Sequence, residues 1–146
     1  CEAIASGRWD FVRANFASGD MVGHTGDFDA TCTAMVAVDL AVRRIRRAVR
    51  EAKGVLVVTA DHGNADEMAE RDAAGEVRRR DGRPVFRTAH TTNPVPFWVD
   101  DWSGRQWQVD DHGSALGLSN VAATLCLLLG LEPPSEYDPP ILRPVR

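Results

Sequence analysis

Apolar positions along this chain change period several times, and the changes mark out its elements. Between residue 29 and about residue 52, Met35, Val38, Val42, Ile45 and Val49 recur at three- and four-residue spacing with arginines between them. That is the pattern of an amphipathic helix. Asp27 or Asp29 is placed to cap its start and Gly54 to end it. Val55-Leu56-Val57-Val58-Thr59 follows as an unbroken, β-branched run, which predicts a strand buried on both faces of a parallel sheet. Residues 10 to 16 also have strand character. Residues 95 to 99 read as a further strand, which Pro94 and Pro96 place at a sheet edge or a strand start. Charges dominate from residue 66 to 87 and Gly75 and Gly82 interrupt them, so an exposed excursion, a hairpin, is expected there. Trp102, Gly104 and Trp107 read as a second surface loop. A last helix is expected from residue 120 to 129, stopped by Gly130, and the Pro-rich tail from Glu132 onward is expected to pack irregularly on the surface.

Strand, helix, strand, excursion, strand, helix is an α/β order. Three visible strands are fewer than the roughly five to six of an ordinary sheet, so the sheet is expected to continue into sequence outside this chain. The start, Cys1-Glu2-Ala3-Ile4, carries neither an initiating Met nor a basic leader region. The chain therefore reads as a portion of a larger protein.

Composition narrows the partners. With 146 residues, 44% of them hydrophobic, the chain is long enough for one domain with a buried core. No apolar run is long enough to cross a bilayer, so no membrane partner is expected. A net charge of -4 argues against nucleic acid despite Arg43, Arg44, Arg46, Arg47 and Arg50, which read as the solvated face of the long helix. Cys1, Cys32 and Cys126 are odd in number and far apart. They read as reduced thiols of an intracellular, cytoplasmic protein, and none is given a chemical role.

Three of the four histidines lie in short, polar, Gly-punctuated segments: Asp20-Met21-Val22-Gly23-His24-Thr25-Gly26, Asp61-His62-Gly63-Asn64 and Thr88-Ala89-His90-Thr91. Carboxylate and imidazole together suit Mn²⁺, Zn²⁺, Co²⁺ or, less well, Mg²⁺, and the thiolates of a structural zinc site are missing. Asp20, His24, Asp61, His62 and His90 are more ligands than one ion takes while keeping a position open. Two divalent ions are expected. Asp20 and His24 are four apart, yet Gly19, Gly23 and Gly26 favour a glycine-rich loop over a regular helix; a turn-forming Asp beside an unrelated surface His fits the segment alone equally well. Asp61 and His62 stand at the carboxyl end of the apolar run, where ligands gather in open α/β sheets. They can share an ion if the loop bends, with Gly63 supplying the freedom; an ordinary turn is the alternative. His90 is flanked by Thr88, Thr91 and Thr92, whose hydroxyls are placed to support ligands or a bound phosphate, although alone it reads better as a structural histidine. His112, after Asp110-Asp111, follows no apolar run and reads as a loop residue.

Taken together, Asn15-Phe16-Ala17-Ser18-Gly19-Asp20-Met21-Val22-Gly23-His24-Thr25-Gly26, Thr59-Ala60-Asp61-His62-Gly63-Asn64-Ala65 and Thr88-Ala89-His90-Thr91-Thr92-Asn93-Pro94-Val95-Pro96 resemble, in this order, the cofactor-independent (2,3-bisphosphoglycerate-independent) phosphoglycerate mutases of the alkaline phosphatase superfamily. The resemblance runs from about residue 10 to 129. It implies part of a three-layer α/β/α alkaline-phosphatase-like domain with a mostly parallel sheet, incomplete in this chain. By position Asp20, His24 and His90 match the family's ligands for one divalent ion, commonly Mn²⁺, and Asp61 and His62 match part of the site for the other. An Asp and a nucleophilic Ser from the N-terminal remainder of the polypeptide complete that second site in the family. Neither they nor the family's inserted phosphotransferase domain has a match here. Ser18 stands where the family often has Asn, and Gly19 where it often has Pro; both read as tolerated loop changes. The long stretch between His62 and His90 resembles the plant and trypanosomatid branch.

The implied activity is the interconversion of 3-phosphoglycerate and 2-phosphoglycerate in glycolysis and gluconeogenesis, through a phosphoserine intermediate at a two-metal centre. This chain would be the C-terminal metal-binding part, inactive alone. Another metal-dependent phosphatase or phosphomutase of the same superfamily, and a non-catalytic metal-binding domain, are the alternatives.

Overall fold

A computed structural model describes residues 1–111, 113 and 116–145. The expectation for His112 lies outside the described residues. The elements in order are α1 (Glu2–Ala5), α2 (Ser18–Gly23), α3 (Phe28–Glu51), β1 (Val55–Thr59), β2 (Arg79–Arg80), β3 (Arg83–Pro84), β4 (Phe97–Asp101), β5 (Trp107–Val109), α4 (Asn120–Leu128) and β6 (Leu142–Pro144). β1 pairs with β4, β2 with β3, and β5 with β6. The chain divides into two compact units, one of Cys1–Val12, Arg47–Val57 and Trp98–Arg146, the other of Arg13–Arg46 and Val58–Phe97.

In the second unit α3 starts where its cap dictates. Asp27 Oδ1 accepts the Ala30 N–H at 2.9 Å, and the Thr31 hydroxyl, in a residue only 2% exposed, donates to the Asp27 carbonyl at 2.7 Å. Asp27 is thus the cap, and Asp29 sits in the first turn, where the helix dipole favours a negative charge. Gly26, at φ +70, turns the chain from α2 into this cap. The excursion is a hairpin, as the sequence predicts. β2 and β3 pair antiparallel around Asp81 and Gly82, both at positive φ (52 and 77), the two-residue turn that matches strand twist. Its base is sewn by Glu70 N–H to Val85 O (2.9 Å) and Arg87 N–H to Met68 O (2.6 Å), with Met68 buried beneath.

Residues 11–16 depart from expectation. They form no strand, and Phe11, Val12 and Phe16 are exposed. A strand needs a ladder as well as β-branched and aromatic residues, and among the described residues no backbone hydrogen bond joins this segment to a neighbour.

In the first unit α3 ends through a pair of backbone bonds, Gly54 N–H to Val49 O (2.9 Å) and Lys53 N–H to Arg50 O (3.0 Å). Lys53, at φ 53, takes the left-handed position that the sequence suggested for Gly54, while Gly54 lies against Val49, where a Cβ would sit 3.2 Å from Cγ1. β1 is half-buried, not covered on both faces, and among the described residues it pairs with β4 alone. β4 begins at Phe97, just past the two prolines that cannot donate to a ladder. α4 ends as expected at Gly130, φ 76, with Leu131 N–H bonded to Cys126 O at 2.9 Å.

The tail and the second loop correct the sequence reading. β5 and β6 form an antiparallel ladder pairing Trp107 with Pro144 and Val109 with Leu142. Ile141 and Leu142 are buried. The fully buried Thr124 hydroxyl accepts the Ile141 N–H at 2.8 Å while donating to Asn120 O at 2.7 Å, and the Asn120 amide donates to Pro139 O at 2.9 Å. Two polar side chains of α4 thereby hold a tail whose composition suggested none of this. All three cysteines are free.

Asp101 anchors the turn between β4 and β5. Its side chain, 5% exposed, accepts from Trp107 Nε1–H at 2.7 Å and from the Ser103 N–H and hydroxyl at 2.7 and 2.6 Å. Arg105 lies 3.3 Å away and also caps α4 through Leu128 O at 2.9 Å. Desolvation pushes the Asp101 carboxyl up, but these donors and the Arg105 charge outweigh it and hold it below its ordinary value. A carboxyl depressed in the folded state stabilises fully above the unfolded value, about 3.9, and loses that contribution as pH falls through the folded value. The stability difference between the chain and its Asp101→Asn variant, roughly 1–2 kcal/mol by denaturant unfolding, is expected to be constant above about pH 5 and to shrink below it. A difference that grows on acidification contradicts this anchoring role.

Candidate metal centre

The candidate residues all belong to the unit of residues 13–46 and 58–97. Residues 18–23 form the helix α2, not the glycine-rich loop expected, and Asp20 and His24 therefore share one helical face. Each glycine that seemed to argue against a helix marks a close approach. A Cβ on Gly19 would sit 2.7 Å from Met35 Sδ of α3, and one on Gly23 would run into the Asn64 carboxamide. The missing side chains let a six-residue helix press against α3 and against the loop after β1.

That loop delivers Asp61, His62 and Asn64. Gly63 forms an isolated antiparallel bridge with Thr91, with the Thr91 N–H donating to Gly63 O at 2.9 Å. The bridge sets His62 beside His90, their rings stacked at 3.6 Å between centroids and 17° between planes. Asp20 Oδ1 lies 3.2 Å from His24 Nε2 and 3.2 Å from His90 Nε2, and the two imidazole nitrogens are 3.1 Å apart. These three donor atoms form a near-equilateral triangle.

Supporting contacts fix what the triangle presents. His24 Nδ1 is 2.7 Å from the Thr88 carbonyl oxygen. That oxygen can only accept, so Nδ1 carries a proton and donates it to Thr88, which orients the ring and turns Nε2 to the centre. The buried Asn64 amide donates to Asp20 Oδ1 at 2.8 Å. Partial burial raises the Asp20 carboxyl, but this hydrogen bond and the fields of His24, His90 and His62 overcome it, and Asp20 lies below its ordinary value. Positive charge suits the centre of this arrangement, carried either by protons on the imidazoles or by a cation among the three donor atoms. Atoms sharing an ion at about 2.1 Å stand roughly 3.0–3.4 Å apart for right-angled to tetrahedral arrangements, and the observed spacing fits that range.

Asp61 and His62 do not join this triangle. Asp61 Oδ1 is 3.7 Å from His62 Nε2, so the adjacent side chains converge as the sequence allows, but the Asp61 side chain is 88% exposed. Among the described residues no third His, Cys, Asp or Glu completes a group with them. Of the flanking threonines, Thr88 serves through its carbonyl, and the buried Thr91 hydroxyl donates to Asp66 at 3.0 and 3.1 Å. Sequence reasoning missed Asn64, taken for a turn former, and Asp66, assigned to the exposed excursion. The available signal was their polarity next to His62, within a segment too short to bury polar groups unpaired.

The sequence description of the Metalloenzyme superfamily matches residues 1–133, and the chain belongs to that superfamily, with an alkaline-phosphatase-like α/β fold. Within it, the chain is similar to phosphoglycerate mutases. It is 43% identical over 143 residues to the 2,3-bisphosphoglycerate-independent phosphoglycerate mutase of Trypanosoma brucei brucei, covering 97% of this chain and 26% of that protein. It is 44% identical over 148 residues to 2,3-bisphosphoglycerate-independent phosphoglycerate mutase 1 of Arabidopsis thaliana, covering 99% and 26%. A crystal structure of Leishmania mexicana phosphoglycerate mutase, obtained at low cobalt concentration, superposes with a TM-score of 0.94 at 42% identity, covering 99% of this chain and 27% of that one. The chain thus spans about a quarter of the length of the relatives it matches.

The two glycines of α2 separate helix propensity from close approach. Alanine gains up to about 1 kcal/mol over glycine in a helix, whereas overpacking costs about 1–3 kcal/mol when the neighbour cannot move. Met35 Sδ belongs to a flexible side chain; the Asn64 amide is held by Asp20. Gly19→Ala is expected to be neutral or stabilising and Gly23→Ala destabilising by roughly 1–2 kcal/mol in denaturant titrations. Equal effects of the two contradict the close approach at Gly23.

Proposed function

We propose that this chain is the C-terminal metal-binding portion of a phosphoglycerate mutase that interconverts 3-phosphoglycerate and 2-phosphoglycerate independently of 2,3-bisphosphoglycerate. The observation that carries the proposal is the convergence of Asp20 Oδ1, His24 Nε2 and His90 Nε2 within 3.2 Å, in a chain 42–44% identical to such enzymes. In this reading Asp20, His24 and His90 hold one divalent ion, Mn²⁺ foremost, with Mg²⁺, Co²⁺ or Zn²⁺ also suited to mixed carboxylate and imidazole ligands. Asp61 and His62 contribute to the second ion. Its remaining ligands, the nucleophilic Ser and the substrate-holding phosphotransferase domain come from the rest of the polypeptide. The exposure of Asp61 supports this, because a ligand that must meet partners from elsewhere has to be reachable.

When bound, the ions acidify the attacking hydroxyl and offset the charge on the transferring phosphoryl group. The chain's own residues prepare for that. Thr88 O fixes the His24 tautomer, Asn64 orients the Asp20 carboxylate, and the His62–His90 stack links the two ligand sets. The apolar surface supports the same reading. Six apolar residues are buried among the described residues, while Trp9, Phe11, Met21, Val36, Leu40 and Leu131 are each more than half exposed, which is sparse burial for a chain that is 44% hydrophobic. The remainder of the polypeptide is the partner that covers such surface, and phosphoglycerate is the small-molecule substrate.

Titration of the chain with Mn²⁺, followed by native mass spectrometry, is expected to show one tightly held ion and no mutase activity. His24→Ala or His90→Ala should abolish that ion, because each removes a ligand of the triangle, and Asp61→Asn should leave it in place. Equal loss in all three variants would sink the assignment of ligands to two sites.

A further inference from the structure

His90 has a feature that His24 lacks: among the described residues no hydrogen bond reaches its Nδ1. A metal-binding histidine is ordinarily oriented by such a bond on its second ring nitrogen, as Thr88 O orients His24. Apart from its Nε2 contacts within the triangle, His90 is oriented by its stack on His62 and by the backbone that carries both rings, which is the Gly63–Thr91 bridge.

One carboxylate fastens that bridge. Asp66 accepts the buried Thr91 hydroxyl on both oxygens, at 3.1 and 3.0 Å, and the Asn93 amide at 2.7 Å. Asp66 stands two residues after Asn64, whose side chain holds Asp20, and Thr91 directly follows His90. The space is full: a Cβ on Gly63 would run into Thr91 Oγ1 and come within 2.5 Å of Asp66 Oδ1. We propose that Asp66 is the positioning residue of the candidate metal centre, fixing His90, and with it the triangle of Asp20, His24 and His90, through Thr91, although it touches none of the three. The inference rests on the reading of that triangle as an ion site.

The carboxyl of Asp66 suits this task. Desolvation raises it, but the Asn93 and Thr91 hydrogen bonds, with neighbouring backbone N–H groups, overcome that and hold it below its ordinary value. It is an ionised, acceptor-only clamp at neutral pH. Neutralising it as Asn turns half of its accepting capacity into a donor that faces the Asn93 amide.

The test is Mn²⁺ affinity, read as the free-ion electron paramagnetic resonance signal during titration of the chain, with near-UV circular dichroism confirming that each variant is folded. Asp66→Asn and Thr91→Val are expected to weaken Mn²⁺ about tenfold or more, in the range that supporting residues of metal ligands show, and to alter the bound-Mn²⁺ spectrum. Thr91→Ser, which keeps the hydroxyl, is expected to rescue wild-type affinity and spectrum. Asn93→Ala, a change at an exposed residue, removes one clamp bond without emptying buried volume and should give an intermediate loss even if Thr91→Val does not fold. Folded Asp66→Asn and Asn93→Ala variants with wild-type affinity and spectrum overturn the positioning role. Wild-type chain that binds no Mn²⁺, or binds it undiminished in His24→Ala, overturns instead the ion-site reading beneath it.

Discussion

Three donor atoms, Asp20 Oδ1, His24 Nε2 and His90 Nε2, held within 3.2 Å of one another are the constraint around which this part of the molecule is built. Thr88 O obliges His24 to carry its proton on Nδ1 and leaves Nε2 facing Asp20 Oδ1. His90 Nε2 closes the triangle. The arrangement persists because backbone and neighbours fix every member: α2 spaces Asp20 and His24 by one helical turn, Asn64 draws on Asp20, and the bridge at Gly63 sets His90. Mixed carboxylate and imidazole donors at this spacing suit a divalent cation, which is the physical link between the local fold and membership of a metalloenzyme superfamily.

The glycines follow from the same constraint. Bringing a helix, a strand-end loop and the segment around His90 to within bonding distance of one point leaves little volume for side chains between them. Gly19 yields to Met35, Gly23 to Asn64, and Gly63 to Thr91 and Asp66. None of these three has a positive φ, so backbone freedom is not what they supply. Gly26 does adopt a left-handed conformation, and it is the residue that redirects the chain from α2 to the Asp27 cap.

Legibility from sequence follows the range of the interactions. The long helix and its cap could be read because a 3.6-residue stripe and an Asp before it are local facts, and the hairpin because Asp81-Gly82 is a local turn signal. Asp20, His24 and His90, which the structure brings together, could be picked out as candidates as well, since Asp and His beside glycines stand out from an apolar run. What failed was set by distant partners. Glycines were taken to break a helix when their purpose was contact with residues 16 and 41 positions away, and the tail was taken for surface because Thr124 and Asn120, which hold it, leave no periodic trace. Composition suggests a strand over residues 10–16, and composition supplies no ladder. Asn64 and Asp66 were overlooked for the same reason: their work is done on Asp20 and on Thr91.

The two ligand sets differ in how much of their support lies within the chain. Each member of the first has a nearby restraint, Asn64 for Asp20, Thr88 for His24 and the ring of His62 for His90, so its geometry is a property of one compact unit. Asp61 is solvent-exposed and, among the described residues, meets its neighbour His62 at 3.7 Å. Yet His62 belongs to both, since its ring is the surface on which His90 rests. One pair of rings is thus shared between the two candidate sets.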